Sequence, residues 1–402
     1  MKVLVVNAGS SSLKYQLFDT VTGEVPAKGI CERIGIDGKI DHKCADGRRW
    51  TQELDMPNHS VATKIVVDAL TGADYGCLKS MDEIGAIGHR VVHGGPYFFE
   101  SCLLTDEVLA KLELCRDLAP LHTPAAIMGI QGCTAVMPGV PQVLEFDTAF
   151  HQTMPAKAYT YAIDYETAQK YNIRRYGFHG TSHKFVSREM AKLLDKPVEE
   201  TKIVTCHIGN GSSISAVMGG KVIDTTMGFT PLDGVEMGTR SGAIDPAIVT
   251  FLMKKEGMTA DEMDAYLNKK CGFLGVSGVS SDSRDIEAGI LEGNERCKLA
   301  AEVLAYQVKK YIGSYAAAMN GLDAVVFTAG MGENNPDLRQ RACADMQFYG
   351  IEIDEELNAK TLRQPNIVKL SKEGTKTAVY VIPTNEELMI ASDTEEIVSK
   401  IK

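Results

Sequence analysis

The sequence holds no apolar run that approaches the ~18 residues of a membrane span. It holds no basic block, and 42 Lys and Arg stand against 53 Asp and Glu, a formal net charge of −11. Such a chain suits neither nucleic acid nor an anionic membrane surface, and no partner of either kind is expected. The 10 cysteines are scattered without a C-x-x-C pair. Disulfide frameworks are dense and belong to small secreted domains, so reduced thiols in a cytoplasmic protein are expected. Within that setting Asn58-His59-Ser60 and Asn210-Gly211-Ser212 match the glycosylation pattern by chance. The opening MKVLVVN has a four-residue apolar run. A secretory core needs about 7–15, so a first strand is expected there. Two catalytic signatures are also missing: the G-x-x-x-x-G-K-[ST] phosphate loop and the G-x-S-x-G nucleophile elbow.

What remains is an ordinary globular balance, 44% apolar and 24% charged over 402 residues. At ~100–200 residues each, that length makes two or three domains. Apolar strands alternate with amphipathic helices, which argues for α/β layers. Strands are predicted at 2–6, 13–18, 84–92, 142–146, 202–208, 214–218, 221–224, 323–328 and 378–382. Helices are predicted at 180–195, 294–320 and 385–401, with further starts at Thr123-Pro124, Asp245-Pro246, Thr259 with Glu262, and Asn335-Pro336. One internal echo stands out. Gly9-Ser10-Ser11 follows the first strand, and Gly211-Ser212-Ser213 follows the strand at 202–208. Each loop is Gly/Ser-rich, has an Asn nearby (Asn7, Asn210) and leads directly into another strand, as a duplication would.

Seven segments combine residues that chemistry uses. Asn7–Lys14 can turn backbone N–H groups, Ser10 and Ser12 toward an anion, with Lys14 adding charge; an ordinary hairpin has the same look. Arg90, closing a strand before His93-Gly94-Gly95, offers a guanidinium fork for a carboxylate or phosphate, or is a surface Arg. Asp147, just beyond a buried strand, suits a base, a metal ligand or a helix cap. His179 and His183 are four apart in a Gly-flanked loop; no third metal ligand lies nearby, and His179 can donate to developing negative charge. Arg240 has a glycine two residues away on each side, whose ordering costs entropy that a functional Arg would justify; a solvated Arg in a surface loop has the same look. Gly330–Asn334 opens a helix after a strand, where a nucleotide can rest, although the third Gly of the dinucleotide fingerprint is missing. Glu386 and Glu387 start a helix, where a metal or the helix dipole explains them equally.

In this order the strings NAGSSSLKY, GHRVVHGG, EFDTAFH, YGFHGTSH, HIGNGSS, MGFTPLDGVEMGTRSG, FTAGMGEN and PTNEEL closely resemble the acetate kinase family, nearly end to end. The resemblance implies a duplicated two-lobe actin-like ATPase fold, with ribonuclease H-like α/β lobes and the nucleotide in the cleft between them. The first lobe would be 1–150 plus 385–402, and the second 151–384 would carry the nucleotide pocket. It implies a cytoplasmic homodimer that needs Mg²⁺, with Mn²⁺ as an alternative, and the reaction ATP + acetate ⇌ ADP + acetyl phosphate. Acetate is already ionised at neutral pH, so the enzyme needs positioning and positive charge and not a strong base.

By the same resemblance Arg90 holds the acetate carboxylate, Arg240 stabilises the transferring phosphoryl group, His179 donates to it, and Asp147 positions reactants and metal. Asn7 and Glu386 match positions near Mg²⁺, although spacing alone does not separate Glu386 from Glu387. Lys14, Ser10 and Ser12 would contact phosphate. His207, Ile208, Gly209, Asn210 and Gly211, then Asp282, Ser283 and Arg284, then Gly330, Met331, Gly332, Glu333 and Asn334 would hold ADP or ATP. Val92, Leu121, Phe178 and Pro231 match the lining of the methyl pocket. Two positions depart from the family's pattern: Glu236, where many relatives are apolar, could pair with Arg240 or tilt it, and Ala243, where relatives often carry Asp, could loosen its support. The alternatives are a propionate or butyrate kinase of the same family and a non-catalytic actin-like nucleotide switch. A sugar kinase would need polar groups for hydroxyls, where the matched lining is apolar.

Overall fold

In the computed structural model, which describes residues 1–401, the chain divides into two units. Unit 1 comprises Met1–Phe150 and the chain from Asn385 onward; unit 2 is His151–Thr384. No helix among the described residues is long and apolar enough to cross a membrane.

Unit 1 is built on β1 (Lys2–Gly9), β2 (Ser12–Asp19), β3 (Glu24–Glu32), β4 (Lys39–Cys44), β5 (Arg49–Glu53), β6 (Ile84–Val91), β7 (Cys102–Leu103) and β8 (Gln142–Phe146). They form one sheet in the order β5-β4-β3-β2-β1-β6-β8-β7. The strands from β5 to β1 pair antiparallel, and β1, β6 and β8 run parallel. β1 is a continuous apolar run because both of its faces are covered. Leu4 and Val6 join the core with Ala62, Val66 and Leu70 of the helix His59–Thr71. Val3 and Val5 face Ile390, Ala391 and Val398 of the C-terminal helix Glu386–Ser399. β4 and β5 went unread in the sequence because their segments, KIDHKC and RWTQE, are dominated by polar residues, and β5 is the sheet's edge.

Unit 2 contains β9 (Lys202–Ile208), β10 (Ser212–Met218), β11 (Lys221–Thr225), β12 (Ala324–Thr328), β13 (Val368–Lys369) and β14 (Ala378–Val381), ordered β11-β10-β9-β12-β14-β13. The five strands β3-β2-β1-β6-β8 and the five strands β11-β10-β9-β12-β14 follow one plan, three antiparallel then two parallel. The Gly/Ser echo occupies the same turn in both. The helix Glu295–Ala318 buries Ala300, Leu304, Val308, Ile312 and Tyr315 at helical spacing against this sheet.

Helix starts follow the capping residues. Asp245 accepts from Ala247 N, Asn335 accepts from Leu338 N, and Thr259 with Glu262 forms a reciprocal capping box. Thr123 differs. The helix Thr123–Val136 is capped one residue earlier by His122, whose side chain makes no capping bond. Thr123 is buried and its hydroxyl turns to the Cys115 carbonyl, so a tertiary contact takes the group that would have capped.

Two charged side chains lie in the interior of unit 2, and the fold treats them oppositely. Arg339 is fully buried, and burial pushes its pKa down to about 10. It donates to Asn358 Oδ1 at 2.8 Å and to the carbonyls of Gly332 (2.9 Å), Asn358 (3.2 Å) and Thr361 (2.7 Å). It thereby fixes the loop after β12. Glu236 is equally buried, and neither carboxylate oxygen has a hydrogen-bond partner of good geometry. Burial pushes its carboxyl up to about 8, with the nearby Leu304 backbone pulling back weakly.

Each buried carbonyl stripped of its donor costs ~1–3 kcal/mol, so Arg339→Met should lower the stability of unit 2 by about 3 kcal/mol or more. An unchanged unfolding transition would remove Arg339 from this role. Glu236 gives a pH dependence of definite sign. Its carboxyl titrates near 4.5 when unfolded and near 8 when folded, so between these values the folded state keeps a proton that the unfolded state has lost. Stability therefore falls as pH rises through that window and levels off above it. Glu236→Met should raise the thermal midpoint at pH ~8.5 and lose this advantage near pH ~5; a gain independent of pH would contradict the assignment.

Candidate active site

In unit 1 the β1–β2 turn is tight. Gly9 pairs with Ser12, and a Cβ on Gly9 would meet Ser12 Oγ at 2.9 Å. His59, a residue the sequence reading did not single out, bonds the Gly9 carbonyl through Nε2 at 2.8 Å and steadies this turn. Ser10 and Lys14 are exposed and Ser12 half-buried. Asn7 lies across from Lys14 in the β1–β2 ladder, and both line a cavity of about 490 Å³ with Glu387.

Parallel pairing sets the next group. β6 and β8 end side by side, with Arg90 opposite Glu145, and the Asp147 amide continues the ladder by donating to the Val91 carbonyl at 2.9 Å. Arg90 then grips the buried Asp147 with both arms, Nε to Oδ1 at 3.1 Å and Nη2 to Oδ2 at 2.7 Å. Asp147 raises the already high pKa of Arg90, and about a quarter of the Arg90 side chain stays open to solvent. Glu386 faces this pair. Burial, then Asp147 and Glu387, push its carboxyl up, Arg90 pulls it down, and the balance is about 7. Glu387 lines the cavity with Asn7, and both glutamates lie close enough to Arg90 to raise its pKa further. Val92 is half-buried, and Leu121 is 75% exposed.

In unit 2, His179 caps the helix Gly180–Leu193 in the left-handed region, φ +59°, unusual for a residue with a Cβ. Its ring stacks on His207 at 4.1 Å, and Nδ1 lies 2.8 Å from Ser213 Oγ. Gly211 explains where the other nitrogen points. A Cβ at Gly211 would sit 3.5 Å from His179 Nε2 and 3.6 Å from Arg240 Nη1. The bare glycine therefore leaves a small space bordered by an imidazole and a guanidinium. Arg240 is held by weak acceptors only: Nη1 lies 3.4 Å from the Pro231 carbonyl and 3.8 Å from Met237 Sδ. Desolvation lowers its pKa. Glu236 does not pair with it among the described residues, because that carboxylate is sealed in the core. Ala243 is exposed, and its amide donates to Gly234. What ties the Arg240 loop to the β9–β10 turn is Gly238, whose amide donates to Asn210 O at 3.1 Å; a Cβ there would lie 1.8 Å from Asn210 Oδ1. Phe178 is buried beside His179, and Pro231 reaches Arg240 through its carbonyl.

Beside this space unit 2 holds a cavity of about 820 Å³. Its lining brings together Gly209, Asn210, Asp282, Ser283, Arg284, Gly330, Met331 and Asn334 from three separate segments. Asp282 caps the helix Ser283–Leu291, and Arg284, donating back to it, pulls its pKa down to about 2. His207, Ile208, Gly211, Gly332 and Glu333 do not line it. His207 Nδ1 bonds Ser182 Oγ at 2.8 Å, and Glu333 accepts from the amides of Ala329 (2.8 Å) and Thr384 (3.2 Å). Ser281, Glu287, Asn335, Leu362 and Arg363 complete the lining. Asn335 carried a signal only as a helix start and Ser281 only as a neighbour of the Asp282 string; Glu287, Leu362 and Arg363 carried none.

The arrangement can hold a large polar ligand and present two cationic or donor groups at one end of it. The Acetokinase family profile matches residues 2–392. The chain is 57% identical over 404 residues to an acetate kinase of Thermoanaerobacter pseudethanolicus, with 100% of both covered. It superposes on a crystal structure of Porphyromonas gingivalis acetate kinase with a TM-score of 0.96, 48% identity and 99% of both chains covered. A propionate kinase from Francisella tularensis gives a TM-score of 0.90 at 40% identity, covering 98% of this chain and 99% of that one. A match of this extent places the chain in the acetate kinase family.

Proposed function

We propose that the chain transfers the γ-phosphoryl group of ATP reversibly to acetate by direct in-line attack, giving acetyl phosphate. The observation that carries this reading is the convergence of His179 Nε2 and Arg240 Nη1 on the space left by Gly211, beside the larger cavity. An ATP switch without an anionic second substrate has no use for such a pair. ADP or ATP occupies the 820 Å³ cavity, with its phosphates toward the β9–β10 turn. Arg240 and His179 take the charge that develops on the transferring group, where one donor typically contributes ~10²–10³ in rate. Arg90, held square by Asp147, receives the acetate carboxylate, and Lys14, Ser10 and Ser12 receive phosphate. Val92 and Leu121 of unit 1, and Phe178 and Pro231 of unit 2, are the residues this reading assigns to the methyl group.

Asn7 and Glu386 would hold Mg²⁺ or, less selectively, Mn²⁺. The donor set fits: one amide oxygen and one carboxylate are sparse, as Mg²⁺ prefers when phosphates and water complete its shell. Burial makes the Glu386 carboxylate costly to ionise, and a dication offsets that cost. When bound, the metal would neutralise phosphate charge. A homodimer in the cytoplasm belongs to the same reading. The helix Pro246–Glu256 buries none of its residues and exposes Ile248 and Phe251, a face that a second copy would cover.

The reading is tested by trapping acyl phosphate as hydroxamate with ATP, Mg²⁺ and acetate, propionate or butyrate in parallel. One methylene is worth ~1–3 kcal/mol in such a pocket, so acetate should lead propionate by about tenfold or more in kcat/KM. Preference for a longer acid would move the substrate; no product from folded, ATP-binding protein would end the kinase reading. For the metal, Glu386→Gln should raise the Mg²⁺ concentration needed for half-maximal rate by about tenfold, the loss of ~1.4 kcal/mol of binding, while Glu387→Gln shifts it less. The reverse order would move the site to Glu387.

A further inference from the structure

We propose that Ser213, His183 and Thr205 are positioning residues that hold the proton of neutral His179 on Nδ1, so that Nε2, the atom facing the Gly211 space, carries a proton only when the ring is cationic. This rests on the reading of His179 as a donor to the transferring group.

The inference follows from counting protons along one chain of contacts. Ser213 Oγ lies 2.8 Å from His179 Nδ1 and 2.7 Å from His183 Nε2. A hydroxyl has one proton, so Ser213 donates to at most one of the two rings. His183 decides which. It is fully buried, and burial, with His151 and His207 close by, holds it neutral with a single N–H. Its Nδ1 lies 2.7 Å from Thr205 Oγ1. Thr205 directs its own proton to the Ser215 carbonyl at 3.4 Å, a group that can only accept. His183 Nδ1 therefore donates to Thr205, and its Nε2 is left as an acceptor. Ser213 donates to His183 and accepts from His179 Nδ1–H.

The consequence reaches the reaction. A neutral His179 in this tautomer turns a lone pair toward the Gly211 space and repels a phosphoryl oxygen. The cationic ring offers a charged N–H there, roughly twice as strong as a neutral donor. The charged and titratable groups of unit 2 that face the ring include His207, stacked on it; His183, behind Ser213; Arg240, across the Gly211 space; and His151, edge-on to His183 at 5.6 Å. The rate of phosphoryl transfer accordingly falls as pH rises and His179 loses its second proton.

The test is ¹⁵N-histidine NMR of the full-length chain across pH, with His179 assigned by its absence from His179→Gln. The neutral ring should carry its proton on Nδ1. Thr205→Val removes one hydroxyl two side chains away. His183 should then turn its proton toward Ser213, and Ser213 its own toward His179. The Nδ1–H to Nε2–H ratio of His179 should shift about tenfold toward Nε2–H, the worth of one hydrogen bond. The fall of kcat at high pH should move upward with it. Ser213→Ala gives the same direction and serves if Thr205→Val does not fold. Nε2–H in the neutral wild-type ring, or no tautomer change in a folded variant, would overturn the relay. The tautomer is read without turnover, so failure to phosphorylate acetate would sink the proposed function and leave the relay standing.

Discussion

Two anions must meet for this chemistry to occur, and in the proposed site their repulsion is the constraint that the assigned residues answer. At 4 Å two like charges repel by about 1 kcal/mol in water and about 4 kcal/mol near a protein surface. The two arginines meet that demand in different ways. Arg90 is already paired, bidentate, with a buried Asp147, so its charge is largely balanced and its plane is fixed. That suits holding a substrate carboxylate in one orientation. Arg240 has a carbonyl and a thioether as its acceptors, is partly desolvated, and pairs with no carboxylate among the described residues. Its charge is unspent until an anion arrives, which suits a group whose interaction must grow as negative charge develops. A carboxylate turned toward Arg240 would cancel that difference. Glu236, four positions away, is instead sealed in the core in a form that burial keeps protonated.

Duplication supplies the scaffold. In each unit a parallel strand neighbours the first strand of a hairpin, and the hairpin's Gly/Ser turn ends at the same edge as that parallel strand. The copies have diverged in what surrounds the turn. In unit 1 the turn is steadied by His59 and flanked by Asn7 and Lys14. In unit 2 it is locked to the Arg240 loop through Gly238, and the next parallel strand, β12, delivers the loop that Arg339 anchors. One architecture thus yields a lysine-bearing turn in one unit and a deep cavity in the other.

The strands that flank the turns were legible because both faces of β1, β9 and β12 are buried, which leaves unbroken apolar runs in the sequence. Helix starts were legible where the capping side chain had nothing else to bond, as at Asp245 and Asn335, and misread at Thr123, whose hydroxyl serves a distant carbonyl. The residues assigned to the proposed site stood out as polar residues on glycine-rich backbone. Their supports did not. Arg339 lies in an unremarkable helix and meets its carbonyl partners in a segment about twenty residues on. His183 looked like a second candidate for the same role as His179, and only the shared Ser213 shows that it stands behind it. Leu362 and Arg363 enter the cavity from a loop without pattern. Sequence spacing reports what is local, and every one of these contacts is closed by the fold.

Backbone strain points to the same place by an independent route. Among the described residues, eight that are not glycine have positive φ. Four of them, Asn172, Asp195, Asn320 and Asp345, are Asn or Asp, which tolerate the left-handed region in turns. The other four, Arg33, His179, Ala329 and Arg363, have no such excuse, and each costs about 1–3 kcal/mol. Arg33 follows β3, away from the cavities. His179 caps its helix at the Gly211 space, Ala329 opens the loop whose Gly330, Met331 and Asn334 line the larger cavity, and Arg363 lines that cavity itself. Strain of this size persists only where surrounding contacts over-determine the conformation. Around His179 those contacts are the His207 stack and the Ser213 bond; at Ala329 they are the Glu333 carboxylate on its amide. Glu333 therefore serves the cavity by holding the strained turn that shapes its wall.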